Sequence, residues 1–397
     1  PLLRQRCLSA RRPARHGKNT YALAFVPIFM KTKKILVEVG KSYPMYIGTN
    51  LEKELVHAVL AEKATRVAII TDSTVGKQHG TRVLKIFKDA EMAVEIFTFK
   101  AGESNKNQKT VTSLQHELLK RGYGRDTLIV ALGGGVVGDV AGFVAATYLR
   151  GVPYIHVPTS LLAMVDSSVG GKVGIDTAYG KNTIGAFWQP QAVIMDFQFL
   201  KTLPLHEFVN GYFEAIKTFI TSDARMFARA KTLHIESPLA DMELVADIIH
   251  RSVEIKAEIV ARDEREQNER RVVNFGHTIG HAIELLSKFK IPHGFSVGYG
   301  MLVETEIARS LKILSQKDAD AIREYLATLG ITARPLSKFP VKKILEMTRA
   351  DKKSKGGMPH YVLVNGIGSV YTHKGQFAHA VSDAVVTTAL LELVRVH

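Results

Sequence analysis

A chain of 397 residues, 46% of them hydrophobic, has room for about two folded domains and the composition of a soluble globular protein. The single cysteine, Cys7, excludes an intrachain disulfide framework and a multi-thiolate metal site, so any metal must sit on His, Asp or Glu; such sparing use fits a reducing compartment. The net charge of +15 is not organised as a nucleic-acid surface, because it lacks a long basic tract with interleaved aromatics, and no run of about 18 uncharged apolar residues suggests a membrane-spanning helix.

Residues 1–29 read as a basic extension outside the fold. Arg4, Arg6, Arg11, Arg12, Arg15 and Lys18 lie there with no acid. Two readings stay open. An Arg-rich, acid-poor segment has the character of a transit peptide, which would direct the protein to a plastid. The preferred reading is an over-extended start with Met30 as initiator and a cytoplasmic protein.

From about Lys34 to Leu203 the sequence predicts alternating strands and helices. Strands are expected at Ile35–Val39, Arg66–Asp72, Ala93–Phe99, Thr127–Leu132, Tyr154–Val157 and Ala192–Asp196, and helices at Val75–Ala90, Asn107–Arg121 and Gly138–Leu149. Such alternation predicts a mainly parallel, Rossmann-like sheet covered by helices. After Pro204 the pattern turns helical, over Phe208–Thr221, Leu244–Arg262, Thr278–Leu286, Val297–Lys312, Lys317–Leu329, Val341–Ala350 and Phe377–Val394, with one short strand at Tyr361–Val364. The expected division is an α/β domain over 30–203 and an α-helical domain over 204–397.

Three stretches carry chemistry. Gly133, Gly135 and Gly138 follow a strand in a G-x-G-x-x-G pattern, where missing Cβ atoms let backbone N–H groups and a helix start reach a pyrophosphate. No acid lies about 20 residues further on to hold a ribose; Asp72, at the end of an earlier strand, can take that place. Asp166 to Lys172, with Lys181 and Asn182 beyond, reads as a polar loop forming a substrate wall. In Arg270–His281, Asn274 is a natural N-cap, and Arg270, Asn274, His277 and His281 would share one helical face. His277 and His281 at i, i+4 can meet one metal, His293 can complete the site from its Pro292-His293-Gly294 turn, and Glu214, one turn from Lys217, can add a carboxylate. Lys256 lies on an apolar helical face, costly for a lysine unless it meets an anion.

These features together resemble 3-dehydroquinate synthase, a family within the sugar phosphate cyclases, from about Met30 to the C-terminus. The resemblance rests on Gly102-Glu103-Ser104-Asn105-Lys106, Gly133–Tyr148, Asp166–Lys172, Gly180-Lys181-Asn182, Phe199–Pro204, Asp263-Glu264, Asn274–Glu284 and Asp351-Lys352-Lys353. It implies a carbon–oxygen lyase of the shikimate pathway that turns 3-deoxy-D-arabino-heptulosonate 7-phosphate into 3-dehydroquinate and phosphate, with NAD recycled and zinc or cobalt as the metal. It further implies an active site between the domains, a homodimer, and no nucleic-acid or membrane partner. Carried over by position, Glu214, His277 and His293 would hold the metal, and His281 would assist proton transfer beside the phosphate. Lys172, Asn182, Lys256, Arg270, Asn274 and Lys352 or Lys353 would hold the substrate, with Asp166 and Lys217 completing the shell. Asp72, Glu103, Lys106, Gly135, Val136, Val137, Gly138, Asp139, Thr159, Ser160, Lys181, Phe199 and Thr202 would face NAD, with Lys172 shared. Three departures from the family pattern, at Ser160, at Asp176-Thr177 and around Phe213, bear on substrate choice. The rivals are a sedoheptulose 7-phosphate cyclase, disfavoured because Asn274 and His281 keep the dehydroquinate pattern; a deoxy-inosose synthase, disfavoured because Gly170-Gly171-Lys172 is intact; and a catalytically silent binding paralogue.

Overall fold

Seven strands form the central sheet: β1 Lys33–Val37, β2 Tyr43–Gly48, β3 Arg66–Asp72, β4 Val94–Phe99, β5 Thr127–Gly133, β6 Tyr154–Pro158 and β9 Ala192–Asp196. Their spatial order is β1-β2-β9-β6-β5-β3-β4. Only β1 and β2 pair antiparallel; every other pairing is parallel. The computed structural model describes residues 31–350 and 358–395, so the extension at 1–29 and Lys352 lie outside the described residues.

The strands follow from their composition. β5 (Thr-Leu-Ile-Val-Ala-Leu-Gly) and β9 are buried along their whole length, as continuous apolar runs must be when helices cover both faces. Each fully buried aliphatic side chain contributes about 1.5–3 kcal/mol. Helix starts are capped by sequence-local acceptors: Asn107 Oδ1 accepts from Thr110 N at 3.1 Å, and Asp241 Oδ1 from Leu244 N at 3.0 Å.

After β6 the chain differs from the predicted polar loop. Ala163–Ser167 forms one wide helical turn, and β7 Lys172–Thr177 and β8 Gly180–Phe187 form an antiparallel hairpin outside the main sheet. The second half is built on the helices Leu205–Ser222, Met242–Arg262, His277–Leu286, His293–Ser310, Gln316–Thr328, Val341–Ala350 and Asp383–Arg395. Two expectations are corrected here. The single strand at Tyr361–Val364 is two short pieces with different partners, His360–Tyr361 against His379–Ala380 and Val364–Gly366 against Ser369–Val370. That first pairing also delays the last helix to Asp383. No helix among the described residues is long and apolar enough to cross a membrane. From Lys31 onward the sheet and the helices cluster as one compact unit.

Candidate active site

The chain runs from β3 outward to β4, then returns to place β5 on the other side of β3. That reversal opens a crevice at the carboxyl ends of β3 and β5, the usual ligand position in an open α/β sheet. Asp72 ends one strand and Gly133 the other, so Asp72 precedes the glycine turn in sequence but stands beside it in space. Asp72 Oδ1 caps the next turn through Thr74 N (2.7 Å) and Val75 N (2.9 Å).

The crevice widens into a cleft of about 1230 Å³ between the strand ends and the helical half. Most of the residues singled out in the sequence line it: Asp72, Glu103, Lys106, Gly135, Val136, Val137, Asp139, Thr159, Ser160, Lys181 and Thr202 toward the sheet, and Asp166, Lys172, Asn182, Lys217, Lys256, Arg270, Asn274, His277, His281 and His293 around them. Three do not. Glu214 is buried behind the lining. Gly138 lies beneath it, where a Cβ would come within 2.7 Å of Nε2 of the buried His156, so its role is helix–strand packing. Phe199 is a support, stacked edge-on against His79 at 4.9 Å.

Glu214 projects from the middle of the helix Leu205–Ser222, a stretch buried on all sides. His293 starts the helix that follows Pro292, and its neighbour Gly294 donates N–H to Asn210 Oδ1 at 2.7 Å, which pins this helix to the Glu214 helix. Gly300 lets the same helix press against the Gly276 carbonyl, an approach that a Cβ would block. His277, next to Gly276, is thereby carried to the same point. Ligand atoms of Glu214, His277 and His293 all lie within 4.8 Å of one another. Glu214 Oε1 is 3.3 Å from His293 Nε2 and 3.8 Å from His277 Nε2, yet no donor meets it in hydrogen-bond geometry. His277 Nδ1 faces the Phe275 carbonyl at 3.2 Å, which leaves Nε2 directed at the carboxylate.

The charges around this trio call for a cation. Burial lowers the affinity of His293 for a proton, but Glu214 and Glu284 outweigh it and raise its pKa to about 9. A buried carboxylate oxygen without a donor, facing two imidazoles, fits a divalent metal. His281, four residues after His277, is 5.4 Å from it between ring centroids but lies outside the trio.

The expectation that Asn274 caps this helix is corrected. The N-cap is Gly276, in the left-handed region at φ 77°, and Glu269–Asn274 is a separate 3₁₀ turn. Arg270 and Asn274 therefore do not continue the His277 face; they approach the cleft from the preceding turn. Arg270 is 1% exposed and spends its guanidinium on the Glu264 carbonyl and, at 3.0 Å, on the Gly170 carbonyl.

Cations in the cleft are paired internally. Lys256 Nζ donates to Asp166 Oδ1 at 2.6 Å, Lys217 Nζ to Glu214 Oε2 at 2.5 Å, Lys106 Nζ to Asp139 Oδ2 at 2.5 Å, and Lys172 to Glu266. Burial raises the Asp166 carboxyl, but Lys256 and Lys217 overcome this and hold it well below the usual range. Burial depresses Lys256, and Asp166 only partly restores it. Two residues here were not among those singled out. Glu266 contacts both Lys172 and Asn274, the latter at 2.5 Å, and Glu284 lies beneath His293. The signals for Glu284 are its place at the end of the Asn274–Glu284 stretch and its spacing of seven from His277 and three from His281 on one helix.

The departures from the family pattern sort by position. Phe213 faces away from the cleft, packed edge-on against Phe295 at 5.0 Å. Asp176 stays near the cleft and accepts from Asn182 N at 2.8 Å, which holds the hairpin turn.

Comparison with known proteins agrees with this geometry. The N-terminal family model of 3-dehydroquinate synthase matches residues 96–210, and the C-terminal one matches residues 211–354. The 3-dehydroquinate synthase of Acidithiobacillus ferrooxidans is 40% identical over 341 residues, covering 85% of this chain and 93% of that protein. That of Caulobacter vibrioides is 41% identical over 345 residues, covering 84% and 92%. Among solved structures, 2-deoxy-scyllo-inosose synthase, complexed with carbaglucose-6-phosphate, NAD+ and Co2+, matches with a TM-score of 0.80 at 27% identity, over 91% of this chain and 99% of its own. With 40% identity across nearly the full length of a synthase, and both family models in register on one cleft, the chain belongs to the 3-dehydroquinate synthase family.

Proposed function

We propose that the chain is a phosphate-eliminating carbon–oxygen lyase that cyclises 3-deoxy-D-arabino-heptulosonate 7-phosphate to 3-dehydroquinate, using NAD catalytically and a divalent metal, Zn2+ or Co2+. The observation that carries this reading is the convergence of the Glu214, His277 and His293 trio, the glycine turn at the end of β5 and a set of buried lysines on one cleft. When bound, NAD takes up and returns a hydride, and the metal polarises the hydroxyl from which it leaves.

The chain's own residues do the rest. Glu214, His277 and His293 hold the metal. Asp72, Glu103, Lys106, Asp139, Lys181 and the backbone from Gly135 seat the dinucleotide, with Thr159, Ser160 and Thr202 at its edge. Lys172, Asn182, Lys256, Arg270 and Asn274 hold the carboxylate, hydroxyls and phosphate, and Asp166 and Lys217 keep those cations oriented. Lys352, given the same role by the resemblance, lies outside the described residues. His281 moves a proton at the leaving phosphate. In this reading an α/β part ending near Leu203 takes the dinucleotide and a helical part from Pro204 takes the metal, and we assign the assembly as a homodimer in the cytoplasm.

The test mixes the protein with NAD, Zn2+ and the heptulosonate phosphate, and follows phosphate release and product by NMR. Dehydroquinate is the expected product. A cyclitol from sedoheptulose 7-phosphate, with no turnover of the heptulosonate, would overturn the assignment.

A further inference from the structure

Glu284 is 3% exposed, yet both its oxygens are engaged by side chains from different parts of the fold. Oε1 accepts from Lys181 Nζ at 2.7 Å, and Oε2 faces His293 Nδ1 at 3.3 Å. Lys181 comes from the β7–β8 hairpin and also reaches Glu103 Oε1 at 2.9 Å. His293 faces Glu214 Oε1 through its other nitrogen at 3.3 Å. A continuous line of contacts therefore runs Glu103, Lys181, Glu284, His293, Glu214, from the dinucleotide wall to the metal trio.

We propose that Glu284 is a positioning residue for both cofactor sites at once: one oxygen fixes the ring of His293 for the metal, and the other fixes the ammonium of Lys181 for the dinucleotide. The chemistry supports a shared role. A metal-binding imidazole donates its second ring N–H to an acceptor that sets its tautomer and orientation. A carboxylate whose two oxygens serve two donors cannot be replaced by an amide without turning an N–H group against one of them. This inference rests on the assignment of His293 to the metal and Lys181 to NAD.

Metal-stripped wild-type, Glu284→Gln, Lys181→Met and the double variant are titrated with Co2+, followed by visible d–d absorption, and with NAD by calorimetry. In Glu284→Gln, Co2+ should bind about 10–100-fold more weakly with an altered absorption band, and NAD should weaken about tenfold or more. Lys181→Met should leave the Co2+ band unchanged and weaken NAD, and the double variant should lose no more NAD affinity than the worse single one. Unchanged Co2+ binding in Glu284→Gln, or additive NAD losses, would overturn the proposal. If Glu284→Gln fails to fold, histidine-selective ¹⁵N spectra of the Zn2+-loaded wild type decide: a proton on Nδ1 of His293 supports the proposal and its absence overturns it. A wild type that binds neither Co2+ nor NAD would instead overturn the site assignment beneath it.

Discussion

Replacing Gly138 with alanine separates a packing glycine from a ligand-facing one. The new Cβ would sit within 2.7 Å of Nε2 of His156, where ordinary contacts are about 3.5–4.0 Å. His156 is 3% exposed on β6 and cannot swing aside, so the helix Gly135–Thr147 must lift. Overpacking of this kind costs about 2–3 kcal/mol, and the gain in helix propensity returns about 1 kcal/mol. The net expectation is a loss of about 1–2 kcal/mol, read as a lower urea midpoint. Gly135→Ala is the contrast. Its Cβ meets only the rotatable Ser167 hydroxyl at 3.2 Å and Leu162 at 3.5 Å, and it points into the cleft. Stability should change by less than about 0.5 kcal/mol, while NAD affinity measured by calorimetry falls. In a His156→Ala background the penalty of Gly138→Ala should shrink by about 1 kcal/mol or more, because the clash partner is gone. An unchanged penalty in that background would refute the packing argument.

His277→Ala should abolish metal retention after dialysis, measured by elemental analysis, whereas His281→Ala should keep the metal and lose rate; equal metal loss in both would remove the distinction drawn from the trio. Lys106→Met should destabilise the fold, by about 1–3 kcal/mol, because the partly buried Asp139 loses its cation; the Lys106→Met, Asp139→Leu pair should recover most of that stability but not NAD binding. Burial pushes the pKa of His156 down from 6.5 to about 4. The unfolded chain then binds the extra proton first, so this stabilisation is complete above pH 6.5 and is lost as the pH falls toward 4, by at most about 3 kcal/mol. Urea midpoints of wild type and His156→Asn at pH 7 and pH 4.5 should show the shallower loss in the variant, and identical losses would refute it.

The sheet was legible because its central strands are buried on both faces and their apolar runs are uninterrupted; Arg66–Asp72 and Ala192–Asp196 were bounded to the residue. The β7–β8 hairpin was not, because it packs outside the main sheet. β8 is largely exposed, so it carries no apolar alternation, and Gly174 and Gly185 face each other across the pair without side chains. The Asn274 error has a similar source. A polar residue three before a histidine looks like part of a helix, but the chain breaks at Gly276, where a Cβ would come within 2.7 Å of the Val297 carbonyl oxygen. Spacing alone favoured His277 with His281 as a metal pair. The trio instead spans three helices, and what brings Glu214 to His293 is helix packing 79 residues apart in sequence, which no local pattern encodes.

A cleft proposed to take a phosphorylated acid and a dinucleotide must survive without them, and the pairing of its charges explains how. Lys106, Lys217 and Lys256 are at most 7% exposed. Left alone, each would cost several kcal/mol in desolvation. Each instead holds a carboxylate within 2.6 Å: Asp139, Glu214 and Asp166 respectively. Burial pushes the pKa of Asp139 up despite Lys106, whereas Asp166 is held down by two lysines, so the tightest internal neutralisation lies on the side of the Glu214 trio. An incoming anion at Lys256 must therefore compete with Asp166 and does not meet a bare cation. Its net gain is the difference between two charge-assisted contacts, smaller than the formal charge suggests. Removing a single member of such a pair strands its partner, so single substitutions here report a buried charge left behind as well as a lost ligand contact. Paired substitutions that remove cation and carboxylate together are the ones that isolate binding.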